Sequence, residues 1–156
     1  PLDVRDILLG EVFWAASKGL LSAIFILAVA LLLGAVHSWQ AIWVLPIAVL
    51  TGIAFAGMAL VVTAVSRSYD FFLYYFTLLL TPMLLFSGVF FPLDGMPALV
   101  RQVAGLLPLT HAIELVRPLM TGQPVNGIAI HLGVILFYCV AGLTLAAHLI
   151  QRRMFR

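Results

Sequence analysis

Apolar positions arrive in four long runs: about 13–36, 41–65, 71–91 and 128–150. Between the runs stand short polar or proline-bearing joints. Each run reaches the roughly 20 residues that a helix needs to cross about 30 Å of hydrocarbon. No run carries a charge near its centre, where one costs on the order of 3 kcal/mol. The first contains Lys18 near its start, from where the ammonium can snorkel towards the headgroups. A strand reading fails, because membrane strands alternate and are about half as long. The pattern predicts an all-α, polytopic membrane fold.

Two segments do not fit simple spans. In PLDVRDILLGEV (1–12), Val4, Ile7, Leu8 and Val12 share one helical face. Asp3, Arg5, Asp6 and Glu11 interrupt the apolar run. This predicts an amphipathic helix running into the first span. Such a helix either lies on lipid or docks a partner, and three acids against one Arg make it rather acidic for an anionic lipid surface. The second segment, 88–127, holds five of the eight prolines. Between them lie two apolar pieces of about 10–12 residues, too short to cross a bilayer. Pro97 suits the first helical position of a piece running to about Leu107. Thr110 can N-cap the next, and Gly122 can end it. The pattern predicts a re-entrant helical hairpin over about 96–121. Irregular backbone at that depth must be buried in protein or line a water-filled cavity.

Composition narrows the class. Of 156 residues, 64% are hydrophobic and 9% charged, with mean hydropathy +1.19. A soluble domain carries about 25% charged residues, so a water-facing globule and a disordered chain are both excluded. The pI of about 9.1 hides a net charge of only +2, which excludes a nucleic-acid footprint and reads as a topology signal. With four spans, Arg5, Lys18, Arg67, Arg152, Arg153 and Arg156 fall on one side. Only Arg101 and Arg117 fall on the other, which places both ends in the cytoplasm. The chain opens on Pro1, without an initiator Met, and the expectation is that a preceding part is missing.

Little in the chain carries chemistry. It contains no GxxxxGK[ST], HExxH or GxSxG. The four histidines are scattered, so no zinc site is expected. Cys139 reads as a small lipid- or core-facing residue. No carboxylate sits mid-span, where a proton-coupled carrier needs one. No catalytic role, metal or bound cofactor is therefore expected. His111, Glu114 and Arg117, spaced three apart, read as either a self-neutralising ion pair or the polar lining of a gate. Tyr74 and Tyr75, in the aromatic run 71–76, read as an interfacial belt or as rings that stack on sugars. Ala48, Gly52 and Ala56 form a small-residue stripe for helix packing.

At 86–124 the residues carry a resemblance. FSGVFFP, the PLDGMP turn, LLPLTHAIELVRP and the trailing G-Q-P resemble the C-terminal signature of ABC-2 type transporter permeases. Within these the chain is similar to a nodulation protein J-like branch that exports lipo-oligosaccharide. PLDVRDILLGE resembles the family's cytoplasmic segment between its second and third membrane helices. The resemblance implies that the chain holds the last four of six membrane helices of one membrane domain. It further implies a permease homodimer working with a separate ABC ATPase subunit, which binds the ATP and Mg. Asp3, Arg5, Asp6, Gly10 and Glu11 then fall in the ATPase-coupling helix. Tyr74, Tyr75, His111, Glu114 and Arg117 are candidates for the translocation path or outer gate. The expected cargo is a lipid-linked or amphiphilic glycan, moved outward across the bacterial inner membrane. A drug exporter and a non-transporting membrane scaffold are the alternatives.

Overall fold

The computed structural model describes residues 4–66, 68, 70–91 and 93–154. Asp3, Arg67, Pro92 and Arg156 lie outside the described residues, as do the side chains of Arg5 and Arg153. In chain order come α1 (Val4–Leu32), a 3-10 turn (Trp39–Trp43) and α2 (Val44–Val65). Then follow α3 (Asp70–Tyr74), a π-helical segment (Tyr75–Leu80) and α4 (Thr81–Phe86). The chain closes with α5 (Ala98–Ala104), α6 (Pro108–Thr121) and α7 (Ile128–Met154). Among the described residues the regular structure is helical, as the apolar runs require.

Three helical stretches are long and apolar enough to cross a membrane: Asp6–Leu32, Trp39–Val65 and Ile128–Arg152. The third expected span is shorter than its apolar run. Its helix covers Asp70–Phe86 and stops before residue 91. At about 1.5 Å per residue, 17 residues reach roughly 25 Å. The stop has a local cause. Ser87 closes the last turn, and Gly88 takes a left-handed φ of +91°, which a side chain with a Cβ resists. Inside this span the π turns precede Pro82. The Thr81 hydroxyl and its N–H both donate to the Phe76 carbonyl.

The acidic opening segment is not a separate helix. It is the first part of α1, which runs unbroken for 29 residues. Of its predicted stripe, Leu8 is buried, Val12 is half-buried and Ile7 is exposed. Leu8 packs with Ala146 of α7 and with Leu60 and Val61 of α2. The rest of α1 is mostly exposed, including Phe25 and Leu32, as lipid-facing side chains are.

The core lies where α2, α6 and α7 meet, around Ile47, Ala54, Ala112, Leu115, Leu119, Ile135 and Cys139. Lipid is as apolar as leucine, so close packing must hold these helices together. The closest approach is at Gly57 and Gly142. A Cβ added at Gly57 falls 3.2 Å from the Gly142 Cα, with backbone on both sides. Cys139 adds a thiol bond to the Leu50 carbonyl at 3.3 Å. The expected stripe meets a different helix. The Ala48 carbonyl lies 3.7 Å from a Cβ built at Gly19 of α1, and Gly52 faces the Ala15 carbonyl at 3.8 Å. Ala56, half-buried, lies one turn further along α2.

Candidate functional site

The hairpin builds the site. Pro108 sits in the first turn of α6, and Leu107 before it is extended (ψ 132°), as a residue preceding proline prefers. That extended residue ends the preceding helix early, at Ala104, and turns the chain through 91° between α5 and α6. Pro97 correspondingly caps α5 from outside, with ψ 148°. Thr110 is therefore interior to α6 and not its cap. Its hydroxyl is buried and has no partner among the described residues. Gly122 ends α6 in the left-handed region at φ +75°, as expected of a glycine there.

Three bonds tie the hairpin to its surroundings. Tyr138 of α7 donates to the Leu106 carbonyl in the bend (2.9 Å). His111, buried on α6, places Nε2 2.9 Å from the Gly105 carbonyl and Nδ1 2.7 Å from Nδ1 of His131 on α7. Arg117 donates from its guanidinium to the Gly88 carbonyl, in the buried turn after α4. The backbone adds a fourth tie, from the His37 N–H to the Met120 carbonyl (2.9 Å). The hairpin, the 3-10 turn and the start of α7 thus form one end of the bundle, called the hairpin end below.

This changes the reading of the polar trio. His111 and Arg117 each donate to a backbone carbonyl, His111 also meets His131 through Nδ1, and Glu114 is half-buried between them. Among the described residues no ion pair joins Glu114 to either neighbour. Arg117 brings the end of the third span to α6. Tyr74 and Tyr75 do not join the group. They lie at the opposite end of that span, roughly 18 Å from Phe86 along the helix axis. Tyr74 is exposed and Tyr75 half-buried. Asp6, Gly10 and Glu11 are all exposed on the first turns of α1, at the other end of the bundle.

At the hairpin end lies a cavity of about 570 Å³. Its walls are Ile47 of α2, Leu115 and Leu119 of α6, and Ile128 and Leu132 of α7. Trp39 and Trp43, both largely exposed, and Gln40 of the 3-10 turn complete it. Apart from Gln40, every lining side chain is apolar. Its volume is that of an ordinary small-ligand site.

Two features of this site were not anticipated. His131 and Tyr138 are seven residues apart, hence on one face of α7, and that spacing was the available signal. The other is the use of Trp39 and Trp43 as cavity walls, which nothing in their local sequence marks.

The ABC-2 type transporter family model matches residues 1–121, a stretch that includes the hairpin. The chain belongs to the ABC-2 type transporter family. It is 44% identical to Nodulation protein J of Rhizobium leguminosarum bv. viciae over 155 residues, 99% of this chain and 60% of that protein. It is 44% identical to Nodulation protein J of Sinorhizobium fredii over 154 residues, or 98% and 58% of the two chains. For Nodulation protein J of Rhizobium meliloti the identity is 40% over 153 residues, again 98% and 58%. The chain therefore spans about three fifths of the length of the curated relatives it matches. No solved structure matches it. Family and helices together make it a multi-pass membrane chain.

Proposed function

We propose that this chain is the C-terminal part of an ABC-2 exporter permease. It moves a lipid-linked or amphiphilic glycan outward across the bacterial inner membrane. The observation that carries the cargo class is the cavity at the hairpin end. An apolar chamber with two tryptophans and one amide suits an alkyl chain whose polar head stays outside. Trp rings sit well where one end is apolar and the other wet. The charge distribution supports an extracytoplasmic position for this chamber. The polar trio, with His111 buried, Glu114 half-buried and Arg117 exposed, then serves the wall of the outer gate and holds it in shape.

The mechanism needs an energy source, and no nucleotide-binding loop stands in these residues. In this reading a separate ABC ATPase subunit binds ATP and Mg, and a permease dimer forms the path between its two copies. The exposed acids at the start of α1 are the coupling surface. Only a difference in contact between the two ATPase states can bias the permease.

Filling the chamber tests this. Ile128→Trp in the full-length permease places a ring where the alkyl chain sits. Export of an acylated oligosaccharide is expected to fall by about tenfold, the equivalent of about 1.4 kcal/mol, with ATPase association intact. Unchanged export of the acylated cargo overturns the assignment. A fall limited to hydrophobic drugs supports the drug-exporter reading instead, which the same apolar walls accommodate.

A further inference from the structure

We propose that His111 and His131 form a proton-binding latch that fastens the α5–α6 hairpin to α7 and tightens when the pair takes up one proton. The geometry fixes the proton positions. A carbonyl oxygen only accepts, so the 2.9 Å contact with Gly105 requires a proton on His111 Nε2. In neutral His111 the other nitrogen, Nδ1, is then a lone pair. It faces His131 Nδ1 at 2.7 Å, so His131 must carry its proton on Nδ1. That leaves His131 Nε2 as a lone pair as well. This atom faces the turn at Gly127, where a Cβ would fall 3.6 Å away.

The neutral pair makes both bonds with its two N–H groups, one on the Gly105 carbonyl and one on the facing ring. One added proton, on His131 Nε2, leaves both bonds in place and turns the ring-to-ring donor into a cation, and a charge-assisted hydrogen bond is roughly twice as strong as a neutral one. A second added proton puts donors on both Nδ1 atoms and destroys the contact between the rings. The latch therefore holds best at a single added charge.

The charged and titratable groups that act on His131 are His111 and Glu114, both from α6. The half-buried Glu114 carboxylate supplies a counter-charge for one proton, not for two. Arg117, a turn further on, is committed to the Gly88 carbonyl. The ring contact is also a side chain–side chain hydrogen bond between the hairpin and α7 (centroids 5.0 Å apart), beside the apolar packing of Leu115 and Leu119. Tyr138 reaches the bend through backbone only. Acidification of the adjacent aqueous phase by one proton per chain then stiffens the hairpin against α7. This holds whatever the cargo.

The test uses the full-length permease in lipid nanodiscs, with ring-¹⁵N histidine. On lowering the pH from 8 to 5, the wild type is expected to show a coupling across the Nδ1···Nδ1 bond and uptake of one proton by the pair. Two rings that titrate independently with no such coupling overturn the proposal, and this measurement needs no variant. In parallel, nitroxides at Gln102→Cys and Leu136→Cys in a Cys139→Ser background report the hairpin-to-α7 distance. The distribution is expected to narrow on acidification and to lose its pH response entirely in His131→Gln. A response kept in His131→Gln, matching the wild type, rejects the latch.

Discussion

Arg117 shows how much one side chain decides at this site. It reaches from α6 to a carbonyl in the buried turn after α4, and that turn exists because Gly88 accepts φ +91°. Replacing Arg117 with Met keeps the stem and deletes the donor. The orphaned acceptor should cost about 1–3 kcal/mol, read as a lower midpoint in thermal unfolding of the detergent-solubilised protein. A midpoint equal to wild type would show that the carbonyl finds another partner. Some of this was legible residue by residue. Gly122 ends α6 as a glycine after a helical run should, and Pro97 does open a helix, although as its cap. Thr110 was misplaced because a hydroxyl in front of an apolar helical piece resembles a cap, while Pro108 two positions earlier had already claimed the first turn. The His111–His131 contact was not legible, since it joins residues twenty apart on two helices and only packing brings them together.

Among elements, the pair that matters most is α2 and α7. Their backbones touch at Gly57 and Gly142, where a Cβ at Gly142 would fall 3.1 Å from the Gly57 carbonyl carbon. Two effects compete on substitution. Alanine gains about 1 kcal/mol of helix propensity over glycine, but the neighbour here is backbone and cannot swing aside. A larger residue leaves no contest. Gly142→Leu should force the helices apart at a cost of about 1–3 kcal/mol, and Gly142→Ala should cost less. Denaturant unfolding in micelles ranks the two, and a Leu variant as stable as wild type would contradict the crossing. The apolar runs foretold the helices themselves, because a continuous run of about 20 residues has one stable form in lipid. They could not show that the third helix stops at Phe86, since Val89, Phe90 and Phe91 are as apolar as the residues before them. Nor could the small-residue stripe name its partner. Ala48 and Gly52 face α1, and the tighter glycine crossing lies on another face of α2.

For the whole molecule, the two ends of the bundle differ in character. One end gathers the hairpin, the histidine pair and the apolar chamber. The other presents the exposed carboxylates of Asp6 and Glu11. Reversing the charges of Asp3, Asp6 and Glu11 together in the full-length permease should abolish co-purification with its ATPase and stop export. Retention of both would remove the coupling role from this segment. That the two ends differ was readable in outline from charge and proline placement alone. The chamber was not, because its walls come from the 3-10 turn, α2, α6 and α7, four pieces scattered over more than ninety residues.

The unbroken length of α1 has a mechanical consequence. A helix of 29 residues measures roughly 43 Å at 1.5 Å per residue, against about 30 Å of hydrocarbon. Upright, it leaves about nine residues standing clear of the apolar layer, which is the stretch that carries the acids. A stiff rod pivoting at the membrane boundary is a lever of unequal arms. Its far tip sweeps about twice the distance that its short arm is pushed, with no joint between them to absorb the stroke.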